Sequence, residues 1–135
     1  MILSGGCLCG RVRYRILNRP GPLIYCHCSQ CRKAQGTGFA ANVPVPRASF
    51  ELTEGANHIK GYQTSKDKTR YFCAKCSSPL YSYLREASNY RIRAGSLDYA
   101  PELLPSAHIF FTSKASWVSV NDDLPQFSQR EPRQP

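Results

Sequence analysis

Seven cysteines are the residues of this chain best suited to chemistry, and they fall into three short runs. Cys7 and Cys9 stand in "GGCLCG", Cys26, Cys28 and Cys31 in "YCHCSQCRK", and Cys73 and Cys76 in "FCAKCSSP". Thiolates serve as metal ligands, nucleophiles or redox groups, and spacing sorts these uses. A Cys-x-x-Cys turn points two sulfurs into one hollow, the usual half of a tetrahedral zinc site. A Cys-x-Cys pair can do the same in extended chain, where residues i and i+2 share a face. Joining the half-sites Cys7/Cys9 and Cys73/Cys76 gives a closed four-sulfur zinc site that clips the N-terminal segment to the middle of the chain. Such a site supplies folding energy rather than chemistry.

The remaining trio, Cys26, Cys28 and Cys31, combines both spacings in one turn. Three sulfurs can hold a second zinc and leave its fourth position without a local ligand, the pattern of a catalytic rather than a structural ion. Ser29 is expected to cap a short helix over Gln30 to Gln35 that Gly36 ends, and its positive end would favour thiolates or an anionic ligand. Arg32 and Lys33 add positive charge beside it and are candidate substrate-binding groups, although solvated helix charges read the same way. His27, inside the trio, points away from its neighbours in extended chain. His58 or His108, arriving from elsewhere, would instead close the site with a fourth ligand and make it structural.

The elements that position these cysteines are short. The chain has 135 residues, 41% of them hydrophobic, which suits one folded domain. Ten prolines and nine glycines favour strands and turns over long helices. Strands are expected at "RVRYRI" (11–16), with Val12, Tyr14 and Ile16 inward, at "LIYC" (23–26), and at "GFAANVPV" (38–45) and "ASFEL" (48–52), broken by Pro44 and Pro46. "HIKGYQT" (58–64) reads as a tight hairpin at Gly61, followed by strands at "RYFC", "LYSYL", "YRIRAG" and "AHIFF". The fold class is therefore mainly β: short antiparallel strands with one or two short helical turns. Residues 1–125 make a single zinc-binding domain and 126–135 a polar tail. No apolar run approaches the roughly 20 residues a bilayer requires, and "MILSGGCLCG" lacks the basic start and apolar stretch of a signal peptide. A cytoplasmic location follows as the expectation, and there clustered cysteines hold metal more often than they form disulfides. The net charge of +9 falls to about +6 once four thiolates and three thiolates each surround a Zn²⁺. The basic residues are scattered, with no block of like charge, so a nucleic-acid partner is not favoured.

The segments "GGCLCGRVRY", "CHCSQCRK", "RYFCAKCSSPLY", "GSLD", "PSAHIFFTSKASW" and "DDLPQF" resemble, in this order, the glutathione-dependent formaldehyde-activating enzyme family, which shares its domain with centromere protein V. The resemblance spans about residues 5 to 127. It implies a β-tent fold, a structural zinc on Cys7, Cys9, Cys73 and Cys76, and a second, often labile zinc on Cys26, Cys28 and Cys31. It also implies carbon–sulfur lyase chemistry: reversible joining of formaldehyde to glutathione as S-(hydroxymethyl)glutathione. The partners would then be a small thiol and an aldehyde; the alternative is a non-catalytic zinc-stabilised module that binds nucleic acid or an acidic protein. The family's zinc turn commonly continues Cys-Gly-Ser, whereas here Ser77 and Ser78 follow Cys76. A positive φ at Ser77 would cost about 1 kcal/mol.

Overall fold

The alternation in "RVRYRI" decides which way the first sheet faces: Val12, Tyr14 and Ile16 are buried, and Arg11 and Arg15 are exposed. The computed structural model describes residues 2–131. In chain order the strands are β1 (Leu3–Gly6), β2 (Arg13–Ile16), β3 (Leu23–Cys26), β4 (Ala40–Pro46), β5 (Phe50–Glu54), β6 (Ile59–Gln63), β7 (Lys68–Cys73), β8 (Pro79–Leu84), β9 (Asn89–Arg93) and β10 (Pro105–Ile109). A seven-residue helix, α1 (Ser29–Gln35), joins β3 to β4. No helix among the described residues is long and apolar enough to cross a membrane.

Three strands form one sheet in the order β1-β2-β5, and seven form a second in the order β10-β3-β4-β9-β8-β7-β6. All strand pairs are antiparallel except β10 with β3, which is parallel. Leu3, Tyr14 and Ile16 of the small sheet pack with Val43, Val45, Ile92 and Tyr81 of the large one into the main core. Each such side chain, fully buried, contributes about 1.5–3 kcal/mol by leaving water. Strand alternation sends Arg70, Ser82, Arg91, Arg93 and Asn42 to the opposite face of the large sheet. There a second, smaller cluster of Ile24, Cys26, Cys31, Ala40 and Ile109 sits under α1.

Several local expectations need correction. β4 is not broken at Pro44. The Pro44 carbonyl accepts from the Gly21 N–H (2.9 Å), and a strand residue turns its N and its C=O to the same side. The missing donor therefore faces Gly21, where β3 no longer pairs, and the ladder to β9 is spared. Gly61 makes no hairpin but lies inside β6. A Cβ there would come within 3.1 Å of the Tyr71 ring, so glycine lets the two strands approach. The turn itself falls between Thr64 and Lys68. α1 is capped by Cys28, whose Sγ accepts from the Cys31 N–H (3.3 Å), rather than by Ser29; Gly36 ends it in the left-handed region as expected.

Of the polar stretch 126–135, residues 132–135 lie outside the described residues. The preceding part runs along β10: His108 N donates to Pro125, Phe127 N to His108, and Phe110 N to Gln129. Ser77 adopts φ +66°, the left-handed conformation that a side chain resists and glycine does not. Ser77→Gly should therefore raise unfolding free energy by up to about 1 kcal/mol in urea denaturation with metal content held equal.

Candidate functional site

Cys7, Cys9, Cys73 and Cys76 bring their sulfurs within 4.8 Å of one another. Cys7 and Cys9 converge through a turn beyond the end of β1, closed by Gly10 N–H to the Cys7 carbonyl, rather than along a strand. The Cys7 and Cys9 sulfurs lie 3.6 Å apart and those of Cys9 and Cys73 3.8 Å. Four sulfurs each about 2.3 Å from a zinc at tetrahedral corners would stand about 3.8 Å apart, so the donor set fits that ion. Backbone N–H groups point at the sulfurs: Val12 at Cys7 (3.3 Å) and Lys75 at Cys73 (3.4 Å). The Ser78 hydroxyl, 3.2 Å from Cys76, helps push that thiol down to about 5. The same hydroxyl accepts from the Leu8 N–H, tying the two half-sites together.

Cys26, Cys28 and Cys31 form the second group, again with sulfurs within 4.8 Å. Among the described residues no histidine or carboxylate joins either group. Cys26 and Cys31 are buried and Cys28 is half-buried. Crowding splits the thiols: hydrogen bonds with Cys26 and Cys28 hold Cys31 far below the ordinary thiol range, whereas those with Cys28 and Cys31 push Cys26 up. Both groups could hold a metal ion, and all-sulfur donor sets are compatible with zinc.

The two histidines weighed as ligands are engaged elsewhere. Asp122 accepts from His108 Nε2–H (2.9 and 3.1 Å), which leaves His108 Nδ1 as the acceptor for His27 Nε2–H at 2.7 Å. His27 and His108 are 0% and 1% exposed, and burial, with His108 next to it, pushes His27 down to about 4. The His27 N–H also donates to Ile109 (3.0 Å), so the cysteine turn is pinned to β10 through both backbone and ring. Phe110, in the left-handed region at φ +51°, turns the chain directly afterwards. His58 lies in a short helical turn before β6 and joins neither sulfur group.

The candidate substrate residues Arg32 and Lys33 lie in the last turn of α1. Arg32 Nε donates to the His27 carbonyl at 3.4 Å, and Lys33 is exposed. The cations nearest the three sulfurs come instead from the large sheet. Arg70 Nη2 stands 3.7 Å from Cys31 Sγ. Arg93 is 4% exposed and is pushed down to about 10 by burial, with negative charge at Cys31 opposing. Burial also lowers Lys68, with Cys31 again opposing. Nothing in "YRIRAG" or "RYFC" marks these positions, because an arginine alternating with apolar residues reads as a solvent face.

The sequence profile described as "Glutathione-dependent formaldehyde-activating enzyme" matches residues 2–113. A Halomonas elongata protein named "Putative glutathione-dependent formaldehyde-activating enzyme" is 33% identical over 129 residues, covering 89% of this chain and 82% of its own. A crystal structure of a Rhodobacter sphaeroides protein superposes with a TM-score of 0.61 at 23% identity, over 73% of this chain and 91% of that one, a likeness of fold. With its seven cysteines gathered into two sulfur groups and the profile covering most of its length, this chain belongs to the glutathione-dependent formaldehyde-activating enzyme family.

Proposed function

We propose that the protein is a zinc-dependent carbon–sulfur lyase that joins an aldehyde such as formaldehyde to a thiol such as glutathione, reversibly, giving S-(hydroxymethyl)glutathione. The observation that carries this reading is the inequality of the two sulfur groups: one offers four ligands, the other three with a buried guanidinium beside them. Cys7, Cys9, Cys73 and Cys76 hold a structural zinc; Cys26, Cys28 and Cys31 hold the second. A zinc ion held by these three sulfurs would supply Lewis acidity, favouring the deprotonated form of an incoming thiol.

The reaction itself balances without oxidant or reductant. The thiol gives up its proton, its sulfur pair forms the C–S bond, and the carbonyl π pair moves to oxygen, which takes up a proton. Reversal breaks the same C–S bond. Arg70 places a fixed positive charge against the sulfur cluster and offsets the charge that thiolate binding adds. Arg32 and Lys33, in the last turn of α1, are the residues this reading assigns to substrate carboxylates. The chain from Asp122 through His108 to His27 holds the cysteine turn in place from the side away from Arg70. A binding module for nucleic acid or an acidic protein finds less support, because Arg70 and Arg93 are turned to a buried face rather than outward.

In a thiol–formaldehyde condensation assay, zinc-loaded protein should exceed the buffer rate and Cys28→Ser should fall to it; equal rates for both proteins and the blank would sink the lyase reading. Metal analysis should find two zinc ions per chain. Mild chelation should remove one with the circular dichroism unchanged, and only harsher chelation should remove the other, with loss of fold. His108→Ala, which strands the His27 ring in a dry site, should cost about 2–4 kcal/mol in urea unfolding of the zinc-loaded protein.

A further inference from the structure

We propose that the groove between the β2–β3 connection and the segment leading into β10 is the contact through which two copies of this chain associate as a two-fold dimer. The groove holds about 320 Å³ and is walled by Arg19, Pro20 and Pro22 on one side and by Ala100, Glu102 and Leu104 on the other. No cysteine lines it, so it is independent of the sulfur chemistry. Both walls are firm. The Gly21 N–H donates to the Pro44 carbonyl (2.9 Å), and the Leu103 N–H closes a turn onto the Ala100 carbonyl (3.1 Å). Leu97, Ala100 and Leu103 pack against the main core, while Tyr99 and Leu104 between and after them are 77% and 71% exposed. Ile2, next to the groove residue Leu3, is 59% exposed. Three of the six large apolar side chains exposed among the described residues therefore flank this one groove. Apolar groups gathered around a rigid hollow mark a contact surface, whereas scattered ones do not.

Charge identifies the occupant as a second copy. The chain carries a net charge of +9, so two copies repel over most of their surface and meet best where charge is locally balanced. The groove is such a place: one cation, Arg19, stands on one wall and one anion, Glu102, on the other. Both are exposed, and neither belongs to an ion pair among the described residues. In a two-fold contact residue i meets j and j meets i. An axis through the groove therefore sets Arg19 against the partner's Glu102 and Glu102 against the partner's Arg19. Leu104 then lies near the axis, and the apolar lining leaves water, which supplies the affinity. The two ion pairs fix register and partner choice more than strength. An acidic protein or a nucleic acid would instead meet Glu102 as a like charge. Two loops make a contact at the small, reversible end of the known range, so association at micromolar concentrations is expected.

Sedimentation velocity of the zinc-loaded full chain, from about 5 to about 200 µM, is the test. Wild type should pass from the 15.2 kDa monomer towards twice that mass as concentration rises. Leu104→Glu, at a site too exposed to disturb the core, should raise the dimer Kd at least about thirtyfold, with circular dichroism and zinc content unchanged. Arg19→Glu and Glu102→Arg each set like charges across the axis and should raise Kd at least about tenfold. The two together restore opposite charges and should bring Kd back to within about threefold of wild type. A wild type that stays monomeric at the highest concentration overturns the proposal, including one whose groove takes up a small apolar ligand instead. A dimer that survives Leu104→Glu overturns it too, as does a double charge reversal no tighter than the single ones.

Discussion

Seven thiols drawn into two groups, each with sulfurs within 4.8 Å of one another, repel as soon as they ionise, so everything about this fold turns on what offsets that repulsion. Two unit charges about 4 Å apart repel by about 4 kcal/mol at the effective dielectric of a protein surface, and a four-thiolate group contains several such pairs. A dication at the centre would reverse the sign of the balance and add the bond energy of the sulfur ligands. The four-sulfur group would then staple the molecule. Cys7 and Cys9 follow β1 of the small sheet, and Cys73 and Cys76 lie in the connection between β7 and β8 of the large one. Cys7 and Cys73 are themselves part of the core between the sheets.

The three-sulfur group is supported differently. A helix of seven residues has little stability of its own in water, and α1 is held at its start by Cys28 acting as cap and by the buried Cys31. Beneath it the large sheet presents arginines where a sandwich would present leucines. Buried guanidinium groups are tolerable there because sulfur anions face them. The apolar face of the same sheet makes the main core; its basic face makes the site. One sheet serves both ends through the simple alternation of side chains.

Local chemistry was legible in the sequence, and long-range chemistry was not. Both sulfur groups were readable, since Cys-x-x-Cys and Cys-x-Cys act over a few residues, and so were the inward trio Val12, Tyr14 and Ile16 and the left-handed cost at Ser77. Pro44 misled because proline was judged without knowing which side of β4 needs its donor. Gly61 misled because its role is to admit the ring of Tyr71, from a strand not yet placed. Arg70 and Arg93 were missed for the same reason: alternation gives the face of a residue but not what covers that face. His108 was weighed as a fourth ligand, yet its partners are His27 and Asp122, brought together by a parallel pairing of β10 with β3 that no hairpin signal announces.

The parallel pairing also explains what backs the three-sulfur turn. β10 lies beside β3, and the segment around Pro125 to Gln129 lies beside β10 in turn, so the turn that leaves β3 is backed by two further stretches of chain. The hydrogen bonds from Asp122 to His108 to His27 cross these stretches. From the large sheet, Arg70 Nη2 stands 3.7 Å from Cys31 Sγ. The polar stretch after residue 125, which composition reads as a tail, is therefore part of what backs the turn carrying Cys26, Cys28 and Cys31.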